Sequence, residues 1–128
     1  MITIDPNFDL ELLTEHFTEC GDYTKEVILE ELLACQKQPD FLIILSINDT
    51  MVDGFLIGYR NRNSLWVSQV WRRNDGNFSI ARDALVMAKA WAKERGMTSI
   101  SGETKRNEIA AMKRYGFNEF SINMRLSL

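Results

Sequence analysis

The sequence predicts a single α/β domain with a mixed sheet, in which antiparallel strands joined by hairpins are followed by a βαβ crossover. Three observations carry the prediction. Three strand-like runs lie between Phe41 and Arg72, separated only by short polar turns, which is the pattern of an antiparallel meander. A periodic apolar stripe then runs from Ala81 to Ala92 at helical spacing. A short strand, Thr98 to Gly102, follows that helix, so strand, helix and strand run in series and imply a locally parallel pair. The 128 residues have room for one domain, 1–128, and not for two.

Each element has its own signal. Ile2 and Ile4 alternate with polar residues and suit a short first strand. Asp5-Pro6 reads as an N-cap followed by proline at the first helical position, and Leu10, Leu13 and Phe17 carry a helix from there to about Phe17. Thr24 caps a second helix, whose stripe is Ile28, Leu29, Leu32 and Leu33; Pro39 closes it. Phe41 to Ile47 is almost wholly apolar, as a strand buried on both faces requires. Met51 to Arg60 follows the turn at Asn48-Asp49-Thr50, with Phe55, Ile57 and Tyr59 on one face, and Leu65 to Arg72 follows the turn from Asn61 to Ser64. Ser79 or Asn77 caps the long helix, in which Ala81, Ala84, Leu85, Ala88, Trp91 and Ala92 face the core. Gly96 stands where a left-handed C-terminal cap belongs. A short helix over Asn107 to Tyr115 and a closing strand over Phe117 to Leu128 complete the order.

Composition excludes several classes. Hydrophobic residues make up 45% and charged residues 26%, a balance that supports a packed core rather than disorder. A net charge of -3 and a pI of about 5.2 give no reason to expect nucleic-acid binding. Locally, Arg60, Arg62, Arg72 and Arg73 cluster, as do Lys105, Arg106, Lys113 and Arg114; such clusters are solvated surface or mark an anionic ligand. The longest apolar run, Phe41 to Leu45, is too short to span a membrane. No signal peptide is expected, because Met1–Asp9 lacks a basic segment followed by an apolar one. Cys20 and Cys35 form no metal-ligand pattern. They read as free, small hydrophobes in a reduced, cytoplasmic setting; a protein packaged in a virus particle would look the same.

The stretch that carries chemistry is the strand–turn–helix unit Arg73-Asn74-Asp75-Gly76-Asn77-Phe78-Ser79. A helix N-terminus presents unpaired N–H groups and a partial positive charge, and so attracts phosphate. Gly76 permits close backbone approach, and Arg72 and Arg73 can add charge-assisted contacts. Read alone, the stretch is equally an ordinary strand-to-helix turn with an Asp-Gly pair.

With its surroundings added, the chain resembles the GNAT family of acyl-CoA-dependent N-acetyltransferases over its whole length. The family's phosphate-loop pattern is Gln or Arg, two residues, Gly, one residue, then Gly or Ala; Arg73 and Gly76 match it, and Phe78 stands at its last fixed position. The segment Asn107-Glu108-Ile109-Ala110-Ala111-Met112-Lys113-Arg114-Tyr115-Gly116-Phe117 is similar to the family's Asn-led helix ending in Gly-Phe. Ile122, Met124 and Leu126 resemble its last strand. The resemblance implies acetyl-CoA as co-substrate, with its pantetheine arm in a gap between two central strands. The backbone of Val70, Trp71 and Arg72 would pair with that arm. The N–H groups from Asn74, Asp75, Gly76 and Asn77 through Ser79 would hold the pyrophosphate, and Asn107 would lie near the thioester. No metal is implied.

Acetyl transfer to an amine needs a base for the ammonium proton and commonly an acid for the departing thiolate. Glu103, at the end of the strand after the long helix, is the candidate base, and Tyr115 the candidate acid. The hairpin strand that ends at Arg72 carries Ser68 and Gln69 but no carboxylate. The acceptor would be an amine of a small molecule or a protein. A second reading follows from Phe78, whose ring either turns into the core or fills the phosphate site: a domain that keeps the fold without the chemistry and serves as a binding or assembly component, such as a phage virion protein. Trp66 and Trp71 bear on it. Their opposite parity along one strand predicts opposite faces, so that one lies at a protein interface or packs beneath the N-terminal helices.

Overall fold

The computed structural model describes residues 2–14, 25–49, 51–72, 79–103, 118–120 and 123–128. Seven strands form one sheet: β1 (Ile2–Ile4), β2 (Leu42–Asn48), β3 (Met51–Asn61), β4 (Ser64–Arg72), β5 (Ser99–Glu103), β6 (Asn118–Phe120) and β7 (Asn123–Ser127). Their order is β1-β2-β3-β4-β5-β7-β6. All neighbours are antiparallel except β4 and β5, which run parallel across the crossover helix α3 (Ser79–Glu94). The predicted plan of a meander followed by a βαβ unit is therefore the observed one.

Helices cover both faces. On one, Leu10 and Leu13 of the α1 region (helix Glu11–Thr14) and Ile28, Leu32 and Cys35 of α2 (Lys25–Gln36) pack on Ile43, Leu45, Phe55 and Ile57. On the other, Ala84, Leu85, Ala88, Trp91 and Ala92 of α3 pack on Leu42, Ile44, Leu56, Leu65 and Ile100. The alternation of Leu42, Ile43, Ile44 and Leu45 between these two clusters explains why β2 reads as an unbroken apolar run. Each such fully buried side chain contributes about 1.5–3 kcal/mol of transfer free energy.

The end of α3 is fixed by a Schellman cap. Gly96 has φ 74°, its N–H donates to the Lys93 carbonyl at 3.1 Å, and the Met97 N–H donates to the Ala92 carbonyl at 3.0 Å. Met97 then turns into the core, 3% exposed. Arg60 pins the same corner, donating to the Asp40 carboxylate and to the Arg95 carbonyl at the helix end. Within the central arginine cluster, Arg60 is thus a structural tie.

Three expectations are corrected. Helix α1 begins at Glu11 and not at Pro6. Asp5 instead accepts from the Asn7 N–H at 3.1 Å, closing an Asx turn, and Asp9 caps the helix by accepting from the Glu11 N–H at 3.0 Å. The inward line of α2 is Ile28, Leu32 and Cys35, with Leu33 42% exposed, because a helix on one sheet face buries a narrow stripe. The closing segment is two antiparallel strands, β6 and β7, and not one. The short helix expected over Asn107 to Tyr115, and the Thr24 cap, lie outside the described residues.

Candidate functional site

The functional feature of the sheet is a ladder that stops halfway. β4 stays paired to β3 along its whole length, from Asn61↔Ser64 to Gly54↔Arg72. Its parallel ladder with β5 runs only from Ser64↔Ser99 to Val67↔Gly102. Past that rung β4 continues for five residues, Ser68 to Arg72, and among the described residues no strand pairs with its second edge. The closed half is locked: the Ser64 and Ser101 hydroxyls lie 2.7 Å apart and the Ser64 hydroxyl donates to the Ser99 carbonyl at 3.2 Å. The open half exposes Val70 to 57%.

A β-bulge sits where the two halves meet. Ile57 pairs with Gln69 and Gly58 with Val67, so Ser68 is an extra residue in β4. Bulges bend a strand and re-aim its side chains. Here two consecutive side chains turn towards α2. The Cys35 thiol donates to the Ser68 hydroxyl at 3.3 Å, and the Gln69 amide donates to the Glu31 carboxylate at 3.1 Å. Glu31 and Cys35 are four apart, one turn along the same helix face. Gly58 makes the bulge possible, since a Cβ there would fall 2.6 Å from the Trp66 carbonyl oxygen.

The bulge also overturns the assignment of Trp66 and Trp71 to opposite faces. Trp66 pairs with Tyr59 and Trp71 with Phe55, two β3 positions of the same parity, so strand positions 66 and 71 share a face. One inserted residue cancels the parity argument.

The fold gathers several of the expected site residues at this parting. Val70, Trp71 and Arg72 lie on the open stretch of β4. Glu103 ends β5 one position past the last β4–β5 rung, opposite Asn123 of β7. Ser79 opens the 16-residue α3, with six residues between it and Arg72 at the end of β4. Arg73, Asn74, Asp75, Gly76, Asn77, Asn107 and Tyr115 lie outside the described residues. Missing from the sequence reading is Glu31, the carboxylate that tertiary packing brings to β4. Its spacing from Cys35 was visible, but nothing in the sequence says which strand α2 lies on.

Burial pushes the Cys35 thiol above the ordinary cysteine range; the Ser68 hydrogen bond opposes this and the Glu31 charge adds to it. Cys35 therefore stays protonated at neutral pH and is no nucleophile. The folded state holds this proton to higher pH than the unfolded chain does. Stability from this group is complete below about pH 8.5 and falls as pH rises above it. Urea midpoints measured at pH 8 and pH 10 should drop further for the wild type than for Cys35→Ala.

No family model matches the chain, and no curated protein does. Solved structures do. The PaiA N-acetyltransferase of Thermoplasma acidophilum, determined with coenzyme A, superposes with a TM-score of 0.71 at 19% identity, covering 100% of this chain and 99% of that one. The chain has the GNAT fold. The Escherichia coli N-acetyltransferase for a ribosomal-protein alanine matches at TM-score 0.76 and 16% identity over 99% and 94% of the two chains. The IAA acetyltransferase of Bacillus cereus matches at 0.75 and 14% over 100% of both. The GNAT likeness thus spans the entire chain. Among the described residues no group of His, Cys, Asp or Glu is arranged to hold a metal ion, and no helix is long and apolar enough to cross a membrane.

Proposed function

We propose that the protein is an acetyl-CoA-dependent N-acetyltransferase that acts on a primary amine. The observation that carries this reading is the parting of β4 from β5 after Val67 and Gly102, in the strand that precedes α3. An open strand edge offers backbone N–H and C=O groups to an extended ligand, and pantetheine is an extended chain with two amides. The exposed Val70 lies on that stretch, and Gly102, where a Cβ would sit 3.3 Å from the Val67 carbonyl oxygen, allows the close approach of the last paired rung. When bound, acetyl-CoA supplies an acetyl thioester whose C–S bond breaks as the amine nitrogen bonds to the acetyl carbon.

The chain's own residues would divide the remaining work. The backbone of Val70 to Arg72 holds the arm, and the N–H groups from 74 to 79 hold the pyrophosphate. Asn107 would lie near the thioester. Glu103 takes the amine proton and Tyr115 protonates the thiolate. Titration calorimetry with acetyl-CoA tests the reading. Micromolar binding, about -8 kcal/mol, is expected, with about 2.7 kcal/mol of added stability at a hundredfold excess over Kd. No heat and no thermal shift at millimolar ligand would overturn it in favour of a binding or assembly role for the fold.

A further inference from the structure

We propose that Glu31, held by Gln69 beside the point where β4 leaves β5, is the group that receives the protonated amine of the acceptor. This inference rests on the acetyl-transfer reading. A primary ammonium has a pKa near 10.4 and is charged at neutral pH, so an acceptor arrives as a cation and needs a negative group close to the acyl-transfer point. That point lies at the inner end of the open edge, where the ladder closes at Val67↔Gly102. The two faces of the sheet are not equivalent there. On the α3 side Val67 packs against the apolar cluster. On the α2 side, the bulge points Ser68 and Gln69 outward.

The apolar core beneath the N-terminal helices includes Ile43, Leu45, Phe55 and Ile57. At the bulge a hydroxyl and an amide come beside it and meet a thiol and a carboxylate of α2. Glu31 is exposed and receives one hydrogen bond from a neutral amide, at 3.1 Å. The ion pairs among the described residues are Arg60–Asp40 and Arg95–Glu94, so no described Lys or Arg neutralises it. The result is a carboxylate fixed in place by Gln69 with its charge uncompensated, an arrangement suited to a charge-assisted hydrogen bond from an ammonium.

The alternative is that Glu31 merely ties α2 to β4. Glu31→Gln separates the two roles, because a glutamine keeps the oxygen that accepts from Gln69 and removes only the charge. The probe is benzylamine as its hydrochloride, with benzyl alcohol as the uncharged control, titrated against the full chain while the Gln69 side-chain amide is followed by NMR. Saturable shifts are expected with the amine and not with the alcohol. In Glu31→Gln the amine Kd should rise about fivefold, the size of an exposed ion pair, with the melting temperature unchanged. In acetyl-CoA-dependent acetylation of benzylamine, the same variant should raise KM by a similar factor and leave kcat and the calorimetric acetyl-CoA affinity as they were. A Gln69 amide unmoved by the amine, or equal amine affinity in wild type and Glu31→Gln, would overturn the proposal. Failure of the wild type to bind acetyl-CoA would overturn acetyl transfer instead, and the titration alone would still decide whether Glu31 is a cation site.

Discussion

Gly58→Ala will destabilise the domain by about 3 kcal/mol, at the upper end of ordinary overpacking costs. The added Cβ would stand 2.6 Å from the Trp66 carbonyl oxygen and 3.1 Å from Leu65 Cδ1. The first of these is backbone, in a strand held on its other side by β5, so no side-chain rotation relieves it. β4 must move away from β3 at the bulge, and the rungs on either side, Ile57↔Gln69 and Gly58↔Val67, must lengthen together. Urea unfolding monitored by circular dichroism measures the loss. A cost under about 1 kcal/mol would mean that the two strands do not approach as closely as described. Any acetyl-CoA affinity should fall too, because the displaced strand is the one whose free edge the ligand would use.

Trp91→Ala should cost about 4 kcal/mol, within the range for truncating a large buried aromatic. Trp91 is 7% exposed and sits with Ala88, Ala92, Leu85 and Ile100 between α3 and the sheet. Its neighbours in α3, Ala88 and Ala92, are too small to fill the space that it would leave. Its ring also carries the Arg95 guanidinium, 4.1 Å from the centroid, while Arg95 donates to the Trp91 carbonyl at 3.0 Å. A cation over an indole face adds about 0.5–1 kcal/mol at a partly exposed site. Trp91→Phe keeps an aromatic ring there and should lose less. Both variants are best followed by circular dichroism, since the substitution removes a fluorophore.

Local chemistry was legible in the sequence wherever a residue's role depends on its neighbours along the chain. The stripe Ala84, Leu85, Ala88, Trp91 and Ala92 faces the core as its spacing requires, and Gly96 takes the left-handed dihedral that ends the helix. The parallel pairing of β4 with β5 follows from the crossover. What was not legible depends on distances across the sheet. How far β4 and β5 stay paired is decided by strand lengths and the bend between them, and no residue signals it. The bulge at Ser68 has no signature either, since an inserted serine in an extended run looks like any polar strand residue; the error over Trp66 and Trp71 follows from that. Glu31 escaped notice for a third reason. An acidic residue on a helix reads as solvated surface until the helix is laid on a particular strand.

The single inserted residue at Ser68 bears on the length of β4 as well as on its composition. Because Ser68 is the extra residue, a one-residue deletion there would turn the bulge into a regular ladder in which Gly58↔Val67 and Ile57↔Gln69 are both kept. Gln69 would stay on the Glu31 side, and the loss would be the hydroxyl that accepts from Cys35. A deletion of Ser68 should therefore fold, with a straighter β4. A survey of natural variants of this chain would be expected to find length changes in this strand confined to position 68.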